Sequence, residues 1–495
     1  MKRCFYAVKV LFLGLVTAQV IATIQVYLSN VELYRTVASI RNAGYLAIPN
    51  HRIMQSLLEL GPAFCGGLFF TLSVGAGLSL LALAAAWIWD RIFSRNKILL
   101  LLFLVPWMGL LVQVNRKGFC PVVSSYFVLI PIVVFMTAIK WMPDIDSHRV
   151  WLRRIVHSVP LVVLAVLWMS QMNSHLFVDL RDNLLLSNRF GTKINDFYYK
   201  YTLYPAEVFK SLSQKTLKTC RFAYMNKKSP SAFLEKELLN HDYVSLKENA
   251  NVDLTIVEHN NILTFEKSGK IILKTSIKDF FSRPGNVLEE FSLKTDRHGF
   301  FRQFTFFSLL IGFPIILYVI CYSLFCLVLR PFLDSSISSV IAVTLCLTAG
   351  IALLASFHLG KGKMIKVKDL PQAMESAHWQ TRVAALKTIQ QKRMEIGNSQ
   401  TYKNMLASPH IPERYWLVKA LGLSRKPETY KVLLLSLDDP HPNVVCMAFH
   451  SLSQRGDSSA IKEILRRIET SHHWYEQWYA YKALRALGWK QVRSK

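Results

Sequence analysis

The sequence predicts a mostly α-helical protein with a bundle of about seven membrane-spanning helices, a small α+β insert and a C-terminal α-solenoid. Two observations predict this class. Several apolar runs approach the ~20 residues that a helix needs to cross a bilayer. Near the C-terminus, a short helical pattern recurs at steps of 32, 31 and 32 residues, which is typical of stacked helix pairs. The predicted domains are a membrane domain 1–173, an insert 174–302, two further spans in 303–357, and the solenoid 358–495.

The predicted membrane domain rests on seven apolar runs. The first extends from about Cys4 to Leu28 and is too long for the apolar region of a cleaved signal peptide, so we interpret it as an uncleaved span. The second contains two small-xxx-small pairs, Ala63/Gly67 and Ser73/Gly77, a spacing that lets helix backbones approach closely in lipid. The runs after the first occupy roughly 62–89, 98–114, 119–139, 154–173, 303–329 and 336–357.

Basic residues in the short loops predict the orientation of these spans. One set of loops is richer in Lys and Arg, so the positive-inside rule places the N-terminus in the cytoplasm of a bacterial-type inner membrane. Seven spans then place the insert and the solenoid outside. Four lysines directly after the last span favour the opposite placement, in the cytoplasm: Lys361, Lys363, Lys366 and Lys368. Both orientations stay open, and the outside placement is preferred.

The insert is predicted to begin with a short amphipathic helix on the membrane surface. Phe177, Leu180 and Leu184 recur at helical spacing, with polar residues between them. Among those polar residues, Arg181 and Asp182 are interpreted as an exposed local ion pair worth about 0–1 kcal/mol.

Further along the insert, one helix is predicted to begin at Pro205 and another to start near Ser229-Pro230. Alternating apolar residues from Val252 onward predict an antiparallel meander. Its predicted turns are Asn260-Asn261 and Ser268-Gly269.

The densest polar and aromatic cluster of the insert contains Asn195, Asp196, Tyr198 and Tyr199. Tyrosine offers both a stacking face and a hydroxyl, so one hypothesis is a ligand or lipid-headgroup site. The alternative is an aromatic belt close to the bilayer, where Tyr is enriched. Together with Arg181 and Asp182, these residues are the candidate ligand or interface residues of the chain.

The formal net charge of +27 is concentrated in two regions. Lys and Arg outnumber Asp and Glu by 15 to 5 in residues 1–173 and by 23 to 11 in residues 358–495. Basic residues near lipid attract anionic head groups, whereas a basic soluble module is also compatible with nucleic acid. No base-reading motif accompanies the charge, so membrane lipids are the favoured partner and nucleic acid is not.

No sequence motif supports an enzyme, a metal or a cofactor. Nucleophile elbows, phosphate-binding Gly-rich loops and Cys-x-x-Cys pairs are absent from the sequence. Four histidines share one repeat position, but equivalent positions in stacked helices lie about 10 Å apart, too far to share a zinc ion. We therefore expect them to occupy the turns before successive helices: His378, His410, His441 and His473.

The solenoid is predicted as three helix pairs followed by a single helix. One apolar column that stacks the pairs contains Ala385, Leu417, Ala448 and Ala480, and a second contains Ile389, Leu421, Leu452 and Leu484. The predicted helices are about 379–393 with 399–407, 411–424 with 427–437, 442–455 with 458–469, and 474–488 alone.

One repeat carries a recognisable pattern. The acidic-Pro turn Asp438-Asp439-Pro440 leads into a helix containing Ala448 and Leu452, and Gly456-Asp457 then opens the next helix. This pattern resembles the HEAT-like repeat family over roughly residues 371–490. The family commonly has Arg in its first helix; Arg382 and Arg414 keep it, while Val445 and Gln477 do not. The resemblance implies an α-solenoid that binds proteins or organises complexes.

The last helix is unusually aromatic for a repeat cap. Docking of this helix on the insert, the membrane surface or a partner subunit is one hypothesis, and ordinary cap packing is the alternative. The candidate docking residues are Trp474, Tyr475, Trp478 and Tyr479.

The function predicted from these features is an integral membrane scaffold that presents its repeats to a protein partner, as one subunit of a larger complex. The alternative is a transporter or membrane-bound transferase with its site between the insert and the helices.

Overall fold

The computed structural model describes residues 2–143, 150–223, 231–246, 251–360, 365–396 and 400–493. The described chain is mostly helical and contains one five-stranded sheet, so the predicted class is confirmed at that level. The predicted helix start at Ser229-Pro230 and two of the lysines after the last span, Lys361 and Lys363, lie outside the described residues.

Five helical stretches among the described residues are long and apolar enough to cross a membrane: Phe5–Asn42, Leu60–Arg91, Pro121–Trp141, Gly299–Leu329 and Ser336–His358. Two further predicted spans correspond to the shorter apolar helices Leu101–Asn115 and Ser158–Met169. The 15 residues of Leu101–Asn115 rise only about 22 Å, less than the ~30 Å hydrocarbon core. The count of seven spans therefore stays a prediction. The helices of this part are α1 Lys2–Asn42, α2 His51–Met54, α3 Leu60–Phe70, α4 Ala76–Arg91, α5 Leu101–Asn115, α6 Pro121–Trp141 and α7 Val150–Met169.

The first helix is longer than predicted. The apolar run ends near Leu28, but α1 continues to Asn42 because its later turns bury Val37 and Ile40 on one face. Its 41 residues rise about 60 Å, roughly twice the hydrocarbon thickness. The far end of α1 therefore extends beyond the predicted span and carries the loop 43–58 to the C-terminal repeats.

Small residues form the seam where α1 and α3–α4 pack together. A Cβ atom at Gly67 would lie 3.2 Å from the backbone nitrogen of Thr23. A Cβ atom at Gly77 would lie 2.3 Å from Ser308 Oγ, closer than atoms can approach. These contacts place Ala63/Gly67 and Ser73/Gly77 at close helix crossings, as their spacing predicts. The π-helical turns Thr71–Gly75 and Ser308–Gly312 meet at the second crossing.

The insert contains the sheet and its flanking helices. The strand order is β2-β1-β3-β4-β5, with β1 parallel to β2 and β3, and with β3, β4 and β5 antiparallel. The predicted meander corresponds to β3–β5, and both of its predicted turns have positive φ. No alternation of apolar and polar residues predicts the parallel strands β1 and β2. The elements are α8 Leu176–Leu180, α9 Arg189–Tyr201, α10 Leu203–Val208, β1 Lys218–Ala223, α11 Ser231–Asn240, β2 Tyr243–Ser245, β3 Leu254–His259, β4 Ile262–Lys267, β5 Lys270–Ser276, α12 Ile277–Ser282 and α13 Pro284–Thr295.

The sheet of the insert has its own hydrophobic core. Leu254, Ile256 and Phe265 project from the strands against Leu238 of α11 and Phe291 of α13, and all five are buried. The insert is therefore an α+β unit, after which α14 Gly299–Phe307, α15 Phe313–Leu329 and α16 Ser335–Gly360 return the chain to the apolar bundle.

The C-terminal region is a stack of helix pairs. Every member of the two predicted apolar columns is buried, which confirms the seams that the repeats suggested. We call α18, α20, α22 and α24 the first helices, and α19, α21 and α23 the second helices. The bounds are α17 Leu370–Met374, α18 Trp379–Gln391, α19 Gln400–Leu406, α20 Ile411–Leu421, α21 Pro427–Leu435, α22 Pro442–Arg455, α23 Ile461–Thr470 and α24 Trp474–Ala486.

Candidate functional site: the interface between the insert and the helical repeats

A repeated turn sets the start of each first helix. The histidine at the shared repeat position is the residue just before the helix in all four cases. Its backbone N–H donates to a side-chain oxygen two residues earlier, at distances of 2.9–3.2 Å. This local hydrogen bond is the one that defines an ST-turn when the acceptor is Ser and an Asx-turn when it is Asp. Sequence reasoning missed its acceptors, although they recur at the same steps: Ser376, Ser408, Asp439 and Ser471.

Arginines of the first helices tie each pair to the next. Arg414 donates to both carboxylate oxygens of Asp439, at 2.8 and 3.0 Å, and to the carbonyl of Ser408. Arg382 makes the equivalent bonds to Glu413 and to the carbonyl of Ser376.

The last repeat keeps half of this arrangement without an arginine. Gln477 Nε2 donates to the carbonyl of Ser471 at 2.9 Å. Gln477 stands where the family commonly has arginine, but it keeps the hydrogen bond to the turn. Val445, at the equivalent position of α22, is a buried apolar residue.

The pair Arg181–Asp182 lies at the centre of an interface between the insert and the first helices. The structure corrects the prediction that this pair is exposed, because Asp182 is only 1% exposed. Its Oδ1 accepts from Arg181 Nε at 3.0 Å and Nη2 at 2.8 Å, and its Oδ2 accepts from Trp416 Nε1 at 2.7 Å. Lys387 Nζ lies 3.4 Å from the same Oδ2.

The local backbone explains why the pair turns inward. Residues 181–185 form a π-helical turn after α8, which departs from the 3.6-residue spacing on which the surface-helix prediction depends. The Arg181 guanidinium then lies 3.9 Å from the ring centre of Tyr415, a cation–π contact. Burial lowers the pKa of Arg181, but the Asp182 carboxylate together with Tyr415 and Tyr199 outweighs that effect, so the pKa is raised above its usual value.

The polar residues of α9 face the third repeat. Asn195 is buried and its Nδ2 donates to Asn443 Oδ1 at 2.9 Å. Asp196 Oδ1 lies 2.9 Å from His441 Nε2. Burial lowers the pKa of His441, and the neighbouring Asp196 carboxylate partly opposes that shift. The two residues therefore contact the repeat turn that precedes α22.

The aromatic residues of α9 and α10 face the last helix. Tyr199 and Tyr475 have ring centres 4.7 Å apart, and Tyr204 and Trp474 meet edge to face at 5.1 Å. Tyr198 packs edge to face on Tyr199, and its outer side is exposed. Burial raises the pKa of Tyr199 above its usual value, so its hydroxyl stays protonated at neutral pH.

Two further candidate docking residues complete the aromatic face of α24. The ring centres of Tyr479 and Tyr475 lie 5.5 Å apart, and those of Trp478 and Tyr479 lie 5.2 Å apart. Lys482 Nζ lies 3.5 Å above the Trp478 ring. The aromatic residues of α24 thus contact the insert through Trp474 and Tyr475, and Trp478 contacts the basic residue Lys482.

The loop 43–58 forms a second attachment that sequence reasoning missed. Asn50 Nδ2 donates to the carbonyls of Ile468 and Ser471 at 2.8 and 3.0 Å, and its backbone N–H donates to Gln477 Oε1 at 2.9 Å. The Gln491 side chain exchanges two hydrogen bonds with the backbone of Leu46. Neither residue belongs to a recognisable motif, so the pairing was not visible in the sequence.

Together, these contacts occupy one side of the stack. Residues of all four first helices contact the insert or the loop 43–58, whereas the second helices α21 and α23 expose charged side chains. Leu435 at the end of α21 is 72% exposed. Within the described ranges, no group of three or more His, Cys, Asp or Glu side chains is placed to hold a metal ion. The first helices thus carry most of the contacts that hold the repeat stack against the insert.

Comparison with known proteins supports the assignment of the repeats. Residues 399–485 match the family model of HEAT repeats. Searches among curated proteins and among solved structures found no match to this chain. The resemblance predicted for the C-terminal region is thus confirmed over the matched residues, and the structure continues the same helix pairing upstream to α18.

Proposed function

We propose that this protein is an integral membrane scaffold that presents HEAT repeats to a protein partner, as a subunit of a larger membrane complex. The observation that carries the proposal is the attachment of the repeats by their first helices and by the C-terminal end of α23, which leaves the charged side chains of α21 and α23 exposed. HEAT arrays generally bind through extended surfaces formed by successive repeats. The exposed side of α21 and α23 therefore supplies the partner surface, with Leu435 as its apolar residue.

A fixed platform suits this role better than a tethered one. Binding to a mobile module has an entropic cost, because the module loses conformational freedom when the partner holds it. Here the buried pair Arg181–Asp182 and the hydrogen bonds of Asn50 hold the repeats in one position before any partner arrives. The scaffold is pre-organised, so we expect partner recognition to depend on the second helices alone.

Recovery of a partner tests the proposal. We expect affinity purification of the full chain through a C-terminal tag, followed by mass spectrometry, to recover a stoichiometric protein partner. Leu435→Glu should lower that recovery about tenfold, since a central apolar contact is worth more than 1 kcal/mol at an interface. Phe233→Glu is the matched control, because Phe233 is an equally large and exposed residue of the insert, at 69%. Recovery of a bound small molecule or lipid substrate without any protein contradicts the scaffold.

We further propose that the protein is a multi-pass inner-membrane protein with a cytoplasmic N-terminus and with the insert and repeats outside. Tyr6 donates to the carbonyl of Ala138 at 2.8 Å, which puts the start of α1 beside the end of α6. Arg91, Arg95 and Lys140 lie at the same end of the bundle, opposite the repeats. The positive-inside rule favours the cytoplasm for that end. Seven spans, with α5 and α7 included, satisfy this arrangement.

Thiol labelling tests the orientation. Cys220 and Cys446 are both buried, so new cysteines are needed at the exposed positions of Leu435 and Phe233. We expect an impermeant maleimide to label Leu435→Cys and Phe233→Cys in intact spheroplasts, above the background of the parent chain. Labelling that appears only after the membrane is opened would place both modules in the cytoplasm.

A second candidate is a transporter or membrane-bound transferase. One observation favours it: a cavity of about 710 Å³ lies where the insert, the apolar helices and α24 meet. The partner recovery described above separates the two candidates.

A further inference from the structure

The cavity between the insert, the apolar helices and α24 is strongly basic. Six cationic side chains line it, against the single carboxylate of Asp242. That carboxylate is already used, because Asp242 Oδ1 accepts from the Tyr481 hydroxyl at 2.6 Å and lies 2.9 Å from Arg485 Nε. The cavity therefore has an excess of positive charge that its own acidic residue does not neutralise.

Three of the other cations have carboxylate partners outside the cavity wall. Lys210 pairs with Glu207, Lys215 with Asp253 at 2.7 Å, and Arg302 with Asp296 at 2.5 Å; these pairs hold the cations in place at the wall.

The remaining two cations of the cavity, Lys218 and Lys482, are held by other contacts. Among the described residues, Lys218 and Lys482 have no carboxylate within ion-pair distance. Lys218 Nζ donates to the carbonyl of His241 at 3.1 Å, and Lys482 Nζ lies over the Trp478 ring. Burial lowers the pKa of both lysines, and the nearby Lys210 lowers that of Lys482 further. A bound anion would favour the charged form of each amine, because it places a negative charge beside it.

The cavity also has apolar lining residues, which belong to the candidate membrane spans. Phe69 of α3 and Phe306 of α14 line it, and Phe306 is 47% exposed. These two helices begin the stretches Leu60–Arg91 and Gly299–Leu329, which are long and apolar enough to cross a membrane. A ligand in this cavity thus meets both cations and the aromatic side chains of candidate membrane spans, a combination that suits an amphiphile with an anionic head.

We propose that this cavity binds an anionic membrane phospholipid, with its phosphate between Lys218 and Lys482 and an acyl chain along Phe69 and Phe306. The lipid would bridge the apolar bundle, the insert and the last repeat helix, because residues of all three line the cavity. This inference does not depend on the proposed scaffold function.

Photolabelling of the delipidated full-length protein in detergent tests this site. The probe is phosphatidylglycerol with a diazirine in its acyl chain, and its adducts are mapped by peptide mass spectrometry. We expect adducts on the peptides that contain Phe69 and Phe306. Unlabelled phosphatidylglycerol should compete for these adducts much better than phosphatidylcholine, because a zwitterionic head does not neutralise the lysines.

Charge variants make the test specific. Lys482→Gln should weaken competition by phosphatidylglycerol about fivefold, since one basic residue contributes about 1 kcal/mol to anionic lipid binding. Lys482 is exposed at the rim, so this variant is expected to fold even where a change at the buried Lys218 is not tolerated. The matched control is Lys462→Gln, on the exposed side of α23, which should leave competition unchanged.

The outcomes that overturn the proposal are distinct. Equal competition by phosphatidylcholine means that the cavity does not select an anionic head. Equal competition by inorganic phosphate means that the acyl chain contributes nothing and the ligand is a free anion. An identical response of Lys482→Gln and Lys462→Gln means that the cavity lysines do not bind the lipid.

Discussion

Replacing Asp182 with alanine is expected to open the interface between the insert and the repeats. The change removes the carboxylate that neutralises the buried Arg181 and that accepts from Trp416. An uncompensated buried charge typically costs about 3–5 kcal/mol. Because Asp182 is almost fully buried, solvent screening provides little relief.

Hydrogen–deuterium exchange is the appropriate measurement for Asp182→Ala, because it reports local opening segment by segment. A loss of about 3 kcal/mol corresponds to roughly a hundredfold increase in the open population. We expect faster exchange in peptides covering Arg181–Leu185 and Ile411–Leu421, with the sheet of the insert unchanged.

The matched control for this prediction is Asp196→Ala, in the same interface. Asp196 is about half exposed and lies beside His441, so its removal should cost no more than about 1 kcal/mol. Equal exchange rates in the two variants would show that the buried pair does not hold the repeats.

The second large effect is expected from Glu413→Ala, within the repeat stack. Glu413 is fully buried, at 0% exposure, and its carboxylate accepts from Arg382 and from the Ser408 hydroxyl at 2.6 Å. The substitution leaves the Arg382 guanidinium without its charge partner between the first and second helix pairs. We expect a loss of about 3 kcal/mol, near the lower end of the usual range because Arg382 is partly exposed.

Thermal unfolding in detergent measures this second effect. The apparent unfolding temperature of the repeats should fall clearly for Glu413→Ala and barely for Glu463→Ala. Glu463 also pairs with arginines, Arg466 and Arg467, but on the exposed side of α23. A similar decrease for both variants would contradict the role of Glu413 as the buried link between repeats.

Local regularities of the sequence predicted much of the fold. The repeat columns were visible because each seam position recurs in four helices, and the meander was visible because its turns need residues that accept positive φ. The full length of α1 was not predicted, because hydropathy detects only helical turns that are apolar enough to face lipid. Residues 29–42 bury only one face of the helix. The parallel strand pair was missed because β2 has only three residues.

The candidate site shows a sharper limit of sequence reasoning. Asn195, Asp196 and Tyr199 stood out by composition, but their partners lie more than two hundred residues away in the chain. The inward turn of Asp182 depends on a π-helical turn, which shifts the helical periodicity used to assign the exposed face. Asn50 and Gln491 form bonds that carry no local pattern. Tertiary contacts of this kind appear only in the folded chain.

The most direct test of the account is a photo-crosslinking measurement in intact cells. A benzophenone amino acid replaces Leu435 on the exposed second helices in one variant, and Tyr199 at the interface with the insert in another. We expect position 435 to form an adduct with a separate protein, and position 199 to form only an internal crosslink to the last repeat helix. An adduct with another protein at position 199, and none at position 435, would contradict this expectation.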